Sequence, residues 1–540
     1  MIQYTKYTKT KLLLYHAQFR SALVLYKMIG VIAGALLLMM LCRYLYKNAY
    51  KRPSDKFPPG PPSLPVYGAY WIVLWHGYND LANAFMKLGE IYKTKMVGLY
   101  WGSAPALVIN DPVLSKEMLC SDAFDGRTDI ILNRLRSYWK KLGIFFTDSY
   151  FWYVQRRFSL RYFRDYGFGR RDEILETVLE AEIKIMLDLR LNGPQNAAEK
   201  EIVKGDLVLL PYYLSTPFTN GILHVLSRTT IPRSEYVVLW ELSRKAFIFQ
   251  RSSDDLGRAL SLTPWLKDVA PSWSGYTNLR EGVQHFLSFF ENLIKQVLDT
   301  YDESHERHFL DAYIKKMNED LRDNEKSTFS VDQLVLICVD YMFPAASTAA
   351  SVLTLLLERL VIQPELQDGM QEEVDRVVGS GRLPNLDDRQ NMPYTEACIR
   401  ESMRFDTQIP FGVPHRATRD TVFNGYHIPK DTMVAVNYVM LNNDKAIWGD
   451  PETFRPERFI GGGKLDLSKD RSLPFGAGHR LCAGETFTRN TMFCTVAALM
   501  QRFRVERAPG SAAPPAPRLQ GLITTVPDFW IKLTLRNNHY

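Results

Sequence analysis

The chain of 540 residues is 46% hydrophobic and 23% charged, a composition that excludes a disordered chain or a small disulfide-rich module. Its formal net charge of +7 comes from one end: residues 1–60 contain ten cations and one anion, whereas residues 61–540 contain 56 cations and 58 anions. Nucleic-acid binding needs a basic surface on the folded body, so this distribution argues against a nucleic-acid partner. It favours contact with a lipid bilayer instead.

An uncharged apolar run near the amino end predicts a membrane anchor. Its core spans residues 28–42, and it reaches membrane-spanning length if it starts at residue 21 and Lys27 extends to the interface. No small-residue cleavage site follows, which favours an uncleaved anchor over a signal peptide. Residues 1–27 are interpreted as a basic extension that is optional, because Met28 is a second candidate start. Starting there would place the body on the cytosolic side.

Residues 43–68 combine a basic segment with a proline-rich stretch, FPPGPPSLP, from residue 57 to residue 65. Its prolines fix φ and favour extended polyproline geometry, which predicts a stiff hinge between the anchor and the body. The sequence shows no second linker or repeat until residues 508–517. Residues 69–540 are therefore predicted to form one large catalytic domain.

The body is predicted to be mainly α with a minor β part. Apolar residues recur at three-to-four spacing, which predicts long helices at residues 171–191, 280–300 and 331–362. Short strand-like pieces are predicted late in the chain, at residues 421–428, 432–437 and 529–535.

A glycine-rich loop contains the cysteine with the strongest chemical signal. The six cysteines show no C-x-x-C spacing, which argues against a zinc site or a disulfide framework. Cys482 lies in FGAGHRLCAG, residues 475–484, where three glycines permit a tight turn and close approach to a flat group. Peptide N–H groups directed at the sulfur, and a helix starting from Ala483, would favour its thiolate form.

This loop resembles the haem-binding signature F-x-x-G-x-R-x-C-x-G of the cytochrome P-450 monooxygenases, and every specified position is present. The resemblance extends over about residues 57–536. It is to the animal microsomal group, including its insect members. It implies the cytochrome P-450 fold, a helical domain with small β-sheets around a buried haem b (iron protoporphyrin IX). By the resemblance, Cys482 is the axial iron ligand, Arg480 binds a propionate, and Phe475 belongs to the same cofactor site. A thiolate ligand helps O–O cleavage.

Further motifs follow the family's order along the chain. Glu401 and Arg404 stand three apart, on one helix face, and Arg458 lies in the PERF segment at residues 456–459. By the resemblance these three residues hold the fold and take no part in the chemistry. Considered without its neighbours, the Glu401–Arg404 pair would be read as an ordinary surface ion pair.

The resemblance also implies a cradle for the two haem propionates, which need cationic and polar partners in an apolar pocket. Matching residues are Arg127 in FDGR, Trp152 and Arg156 in W-x-x-x-R, and His415 in PHRAT. Individually, Trp152 and His415 would be interpreted as core packing and a loop histidine. Together with Arg480 they form a consistent set.

Residues 341–350, YMFPAASTAA, align with the family's distal helix, whose pattern is approximately A-G-x-D/E-T-T/S. Thr348 takes the threonine position, where a hydroxyl can bind dioxygen and relay protons. Ser347 stands where an acid is usual, so proton delivery would pass through Thr348 and ordered water. Pro344 removes an N–H inside the helix and predicts a kink.

The sequence therefore predicts a membrane-anchored haem-thiolate monooxygenase that hydroxylates or epoxidises a small lipophilic substrate. Electrons would come from NADPH through NADPH-cytochrome P-450 reductase, with cytochrome b5 as a second candidate donor. Arg157, Arg161 and Arg164 share a helix face that resembles the family's reductase site, although a solvated basic face is the alternative. The expected location is the endoplasmic reticulum membrane, with a single-pass anchor and the catalytic domain on the cytosolic side.

Two other functions stay open. Ser347 also suits a haem-thiolate isomerase, dehydratase or peroxide-rearranging enzyme that needs no O2 activation. A non-catalytic haem-binding membrane protein would need a damaged cradle, which the sequence does not show. By the resemblance, mostly apolar segments supply the substrate contacts: residues 124–130, 211–221, 343–348, 409–413 and 522–525.

Overall fold

The computed structural model describes residues 2–64, 67–78, 80–252, 258–323, 326–511, 515–521 and 523–536, with side chains from Leu25 onward except at residues 258 and 259. Pro65 of the predicted hinge and Leu522 of the predicted substrate contacts lie outside the described residues, as do the side chains of most of the basic extension. The helices, numbered in chain order, are α1 (Ile2–Ala49), α2 (Tyr70–Gly77), α3 (Leu81–Ile91), α4 (Pro112–Leu119), α5 (Ile131–Leu135), α6 (Ser149–Phe163), α7 (Glu173–Leu191), α8 (Ala197–Ile202), α9 (Thr216–Ser227), α10 (Val237–Ser252), α11 (Arg258–Leu262), α12 (Leu266–Val269), α13 (Tyr276–Asp299), α14 (Phe309–Arg322), α15 (Val331–Ile362), α16 (Glu365–Val377), α17 (Pro393–Asp406), α18 (Tyr438–Asn442), α19 (Lys445–Trp448) and α20 (Glu485–Arg502).

The strands are short and form small sheets at the edges of the helical body. They are β1 (Met96–Trp101), β2 (Ala104–Ile109), β3 (Gly126–Arg127), β4 (Val203–Lys204), β5 (Leu207–Leu210), β6 (His415–Arg416), β7 (Thr421–Phe423), β8 (Tyr426–Ile428), β9 (Met433–Val436), β10 (Ile460–Gly461), β11 (Lys464–Leu465), β12 (Phe503–Arg507) and β13 (Phe529–Leu535). The largest sheet has the order β1-β2-β9-β6-β3, with β2 and β9 parallel and the other neighbours antiparallel. A second sheet has the order β12-β13-β5-β4.

Among the described residues, two helical segments are long and apolar enough to cross a membrane, Leu25–Ala49 and α15. The first belongs to α1 and is not buried against the body, so it is the candidate anchor and covers the predicted core at residues 28–42. Most of α15 is buried, and α15 packs against α9, α10, α13 and α17. Its apolar character therefore reflects a position in the centre of the body.

The proline-rich segment after α1 is fastened to the first sheet. A Cβ added to Gly60 would lie 2.0 Å from the carbonyl oxygen of Gly98 in β1, so only glycine permits this approach. The Arg52 guanidinium donates to the carbonyl oxygens of both Gly60 and Gly98, and Phe57 is buried. The anchor thus meets the body through a packed joint.

The long helices lie close to their predicted positions. Helix α15 has the predicted bounds and continues through Pro344 as an unbroken helix, while α7 and α13 differ from prediction by a few residues. The predicted strand at residues 421–428 is wrong, because Asn424 and Gly425 both adopt positive φ and turn it into the hairpin β7–β8. The early strands β1 and β2 were not predicted.

Candidate active site

The loop before α20 places Cys482 at the end of a tight turn. The Cys482 amide donates to the carbonyl oxygen of Phe475 over 3.0 Å, and Gly476 and Gly478 have φ of +76° and +66°. A Cβ on Gly478 would lie 2.1 Å from the Leu119 carbonyl oxygen, so this position also requires glycine. The turn is therefore pressed against the end of α4 with its cysteine held in a fixed orientation.

Cys482 is solvent-accessible in the described structure, although the surrounding protein desolvates its thiol. Burial raises the pKa of this thiol, whereas a hydrogen bond from the Gly484 amide lowers it. Helix α20 begins at Glu485, two residues later than the sequence suggested. The Gly484 amide, just before α20, therefore favours the thiolate, while burial has the larger and opposite effect on the pKa.

Arg480 and Trp152 form the first part of a buried cationic cradle. The guanidinium carbon of Arg480 lies 3.7 Å from the centre of a Trp152 ring, and Arg480 Nε donates to the Asp125 carbonyl oxygen over 2.9 Å. Burial, followed by the charge of Arg127, lowers the pKa of Arg480 to about 8. Arg480 Nη1 and Trp152 Nε1 are buried without a hydrogen-bond partner in the described part of the chain.

Arg127 and His415 lie side by side because they are paired residues of β3 and β6. Arg127 is buried and donates to the carbonyl oxygens of Phe145 and Val413, each over 3.2 Å. Burial lowers the pKa of Arg127 to about 10. His415 Nδ1 lies 2.7 Å from the Phe124 carbonyl oxygen, and burial holds its pKa well below the ordinary value. The imidazole is therefore neutral at pH 7.

Arg156 completes the cradle on the side of the cysteine. It donates to the Leu481 carbonyl oxygen and lies over the Trp152 ring, with its guanidinium carbon 5.6 Å from the ring centre. Its charge contributes to lowering the pKa of both Arg127 and Arg480. Three guanidinium groups thus share a buried region and repel one another.

These residues fit the two carboxylates of a haem. Burial lowers the pKa of Arg127 and Arg480 more than the nearby Asp125 and Asp148 carboxylates raise it, and Asp148 is also bonded to Arg416 and Lys141, so the cradle is only partly neutralised. The two propionates of a haem would accept hydrogen bonds from the unpaired donors of Arg480 and Trp152. Their negative charges would also reduce the repulsion between the arginines. The haem iron would need a ligand beside the arginines, which Cys482 offers.

The structure brings the three predicted fold-holding residues together. Arg404 makes a two-pronged pair with Glu401, with both N–O distances at 2.7 Å, and Arg458 Nε lies 3.0 Å from Glu401 Oε1. Glu401 and Arg404 are at most 1% exposed. The Arg455 amide also donates to Glu401. This buried network joins α17 to the turn Pro456–Phe459, so it is not a surface pair.

In the middle of α15, Phe343, Pro344 and Thr348 are partly exposed, whereas the other residues from Tyr341 to Ala350 are buried. Ser347 is fully buried, and its hydroxyl donates to the Phe343 carbonyl oxygen over 3.0 Å. Thr348 Oγ1 instead accepts a hydrogen bond of 3.2 Å from Gln250 Nε2 of α10. The Ser347 proton is therefore used in a hydrogen bond within α15, whereas the Thr348 proton is not used in its bond with Gln250.

Sequence reasoning missed Gln250, because no motif marks a glutamine in α10. The expected substrate segment at residues 211–221 stays a prediction: its helical part belongs to α9, which is buried and contacts α7 and α15. Phe249 and Phe286 pack against Phe343, with ring centres 5.0 and 4.8 Å apart. The apolar wall over α15 thus comes from α10 and α13.

The predicted basic face lies on the surface at the end of α6. Arg157, Arg161 and Arg164 are all exposed. Arg157 donates to the Tyr153 hydroxyl over 2.6 Å, and Arg164 pairs with Asp165 at 3.1 Å. Part of its positive charge is therefore already compensated within the chain.

The fold and the site define the class of haem-thiolate proteins, and comparisons with known proteins agree. The family model described as "Cytochrome P450" matches residues 58–215 and 241–533. This chain belongs to the cytochrome P450 family.

The chain is similar to insect and mammalian members of that family. It is 29% identical over 493 residues to "Probable cytochrome P450 303a1" of Drosophila melanogaster, covering 90% of this chain and 95% of the relative. It is 28% identical to "Farnesoate epoxidase" of Bombyx mori, covering 92% and 97% of the two chains. It is 30% identical to "Cytochrome P450 2F5" of Gorilla gorilla gorilla, covering 84% and 89%.

Family membership confirms the expected fold class and enzyme class. The protein is a haem-thiolate monooxygenase of mainly helical fold, and its family binds haem b and uses NADPH through a reductase. Microsomal relatives and the apolar helix Leu25–Ala49 fit anchoring in the endoplasmic reticulum membrane.

Proposed function

We propose that this protein uses Cys482 as the axial ligand of haem b and inserts one oxygen atom from O2 into a small lipophilic substrate. The observation that carries this proposal is the buried cradle of Arg127, Arg156 and Arg480 beside the cysteine loop, with unpaired donors on Arg480 and Trp152. A largely buried group of three cations that Asp125 and Asp148 compensate only in part is costly, and binding of a dianion would offset that cost.

Each residue of the site has a separate task in this proposal. Arg127, Arg156, Trp152, His415 and Arg480 hold the propionates, the neutral His415 as a hydrogen-bonding group. Phe475 is the residue whose carbonyl closes the cysteine turn. Thiolate-ligated haem, when bound, supplies the chemistry that activates O2.

Thr348 is the proposed proton-delivering residue. Its hydroxyl is on the partly exposed side of α15, whereas the Ser347 hydroxyl is committed to the Phe343 carbonyl oxygen. Ser347 was a second candidate in the sequence, and its buried bond supports a structural task instead. Glu401, Arg404 and Arg458 stabilise the fold in this proposal.

The substrate is proposed to be a lipophilic molecule that reaches the site from the membrane. The wall formed by Phe249, Phe286 and Phe343 is aromatic and offers no charge to anchor a polar substrate. The similarity to the farnesoate epoxidase of Bombyx mori supports terpenoid acids or esters among the lipophilic classes, with epoxidation as one outcome.

Membrane association is proposed to involve the body as well as the anchor at residues 28–42. Four exposed tryptophans lie on or near α2 and α12: Trp71, Trp75, Trp265 and Trp273. Leu262 of α11 packs against the core cluster under α2, which brings these two regions together. Tryptophan is enriched at membrane interfaces, so this surface suits the headgroup layer. With a single-pass anchor, the body lies on the cytosolic side.

Electrons are proposed to arrive from NADPH-cytochrome P-450 reductase, with cytochrome b5 as a second donor. The exposed face of Arg157, Arg161 and Arg164 follows Arg156 on α6, so it lies close to the cradle. A basic surface there is complementary to an acidic electron donor.

A second candidate function is favoured by one observation, the absence of a carboxylic acid at position 347 together with the buried bond of Ser347. It is an isomerase, dehydratase or peroxide-rearranging enzyme. Turnover of a terpenoid with reductase and NADPH, compared with turnover of a fatty-acid hydroperoxide alone, decides between the two. The monooxygenase requires reductase, NADPH and O2; hydroperoxide consumption without them would establish the second candidate. Haem binding with neither activity would establish a non-catalytic haem protein.

A further inference from the structure

Gln250, near the carboxyl end of α10, is a buried polar side chain that no sequence motif marks. It is 2% exposed, and its Nε2 lies 3.2 Å from Thr348 Oγ1. Its Oε1 has no hydrogen-bond partner in the described part of the molecule. Leaving a buried amide oxygen unpaired costs stability, so packing alone does not explain a glutamine at this position.

The backbone of Gln250 is held on the side away from α15. A Cβ on Gly521 would lie 2.2 Å from the Gln250 carbonyl oxygen, so the two backbones are in direct contact. The adjacent Arg251 donates to the Val526 carbonyl oxygen over 2.7 Å and pairs with Asp528 at 2.8 Å. Because these contacts fix the end of α10, the amide of Gln250 has a defined position relative to Thr348.

We propose that Gln250 is a positioning residue that orients the Thr348 hydroxyl for proton delivery, an inference that rests on the proposed function. An amide N–H only donates, so Thr348 Oγ1 is held as the acceptor and its own proton points elsewhere. Helical serines and threonines usually donate to the carbonyl four residues back, as Ser347 does to Phe343. Thr348 makes no such bond to Pro344 in the described structure, so its proton stays free to donate to another acceptor.

Two substitutions at position 250 separate orientation from packing. Gln250→Leu removes the donor and frees the Thr348 hydroxyl to bond to the Pro344 carbonyl. Product formed per NADPH consumed should fall about three- to tenfold, with little change in substrate KM. Gln250→Glu replaces the donor with a carboxylate that accepts the Thr348 proton. Its ratio of product to NADPH consumed should therefore fall to the level of Thr348→Ala. In the Thr348→Ala background, Gln250→Leu should cause no further loss of coupling.

The matched control is Ser243→Ala, which removes another buried and unpaired polar group from α10. This variant should form as much product per NADPH consumed as the wild type does, since Ser243 makes no hydrogen bond to Thr348 in the described structure. If Gln250→Leu forms as much product per NADPH consumed as the wild type, the inference is overturned. It is also overturned if Gln250→Leu lowers this ratio by the same factor in the wild type and in Thr348→Ala.

Thermal unfolding gives a readout that is independent of turnover. The loss of Tm in Gln250→Leu/Thr348→Ala should be smaller than the sum of the two single losses by about 1–2 °C, because both single variants break the same contact. Additive losses would show that the contact carries no energy and would refute the inference. The proposed function fails differently: the wild type itself would lack the thiolate spectrum of the reduced carbon monoxide complex.

Discussion

Arg480 shows how a single residue connects the fold to the cofactor. It donates to the Asp125 carbonyl oxygen and lies on the Trp152 ring, and one of its nitrogen atoms remains buried without a partner. Its lowered pKa is caused by burial and by Arg127, so the charge is held at a cost to the protein. Binding of an anionic propionate would remove that cost.

Replacing Arg480 with Gln should therefore weaken haem retention without unfolding the protein. Loss of a hydrogen bond to a charged group corresponds to about 1.5–3 kcal/mol, or about 10- to 100-fold faster haem transfer. Transfer of haem to excess apomyoglobin, followed by absorbance, measures this rate. Arg419→Gln is the control, because Arg419 is an exposed arginine paired with Asp122. Equal transfer rates in both variants would contradict a propionate-binding role for Arg480.

At the scale of elements, the network of Glu401, Arg404 and Arg458 fixes α17 against the turn Pro456–Phe459. Glu401 and Arg404 are buried, so their charges depend on each other for compensation, whereas Arg458 has a second partner in Asp450 at 3.3 Å. Removing one member of such a network is more harmful than removing all of them, since a buried charge is left alone.

Glu401→Gln should accordingly destabilise the protein by about 3–5 kcal/mol, because two arginines lose their shared carboxylate. Chemical denaturation followed by circular dichroism measures the loss. The control is Glu303→Gln, whose carboxylate pairs with Arg322 on the surface and should cost less than about 1 kcal/mol. A Glu401→Gln variant as stable as the control would refute the role of this network.

The sequence was sufficient to predict the elements whose signals are local. Helix α15 was predictable because its apolar run is long and Ser330 caps its start, accepting from the Gln333 amide. The hairpin β7–β8 was read as one strand because the Asn424–Gly425 turn signal was overlooked. Strands β1 and β2 escaped notice because their short apolar runs do not distinguish a strand from a buried helix.

Site residues were predictable from the sequence only where they belong to one motif with a fixed spacing. Cys482 and Arg480 belong to one loop, so their relation is visible in the sequence. Gln250 and Thr348 are 98 positions apart and lie on two different helices, so no local sequence pattern encodes their contact. How far Asp125 and Asp148 neutralise Arg480 likewise depends on the fold, because both carboxylates are more than 300 positions away from Arg480 in the sequence.

For the whole molecule, the packed joint at Gly60 and Gly98 determines how the body meets its anchor. The same body exposes Trp75 and Trp273, with 87% and 79% of their surfaces accessible. Large exposed aromatic groups in a protein with an apolar anchor are consistent with a second contact to the bilayer.

A chain lacking residues 1–49 should therefore still bind liposomes, and Trp75→Ser with Trp273→Ser in that chain should weaken binding about tenfold or more. About 60 Å² of buried apolar surface corresponds to a tenfold change in affinity. Liposome sedimentation measures the bound fraction. The control pair, Leu321→Ser with Leu467→Ser, changes exposed apolar residues outside this surface and should leave binding unchanged. Equal loss in both pairs would contradict a specific membrane-facing surface.

Binding of the haem b iron by Cys482 can be measured from the absorption spectrum of the reduced protein with carbon monoxide. The wild type should show the long-wavelength Soret band of a thiolate-ligated haem. Cys482→His should retain haem through the unchanged arginine cradle but show the band of a nitrogen-ligated haem at shorter wavelength. A wild-type spectrum without the thiolate band, or a Cys482→His spectrum that keeps it, would contradict this account.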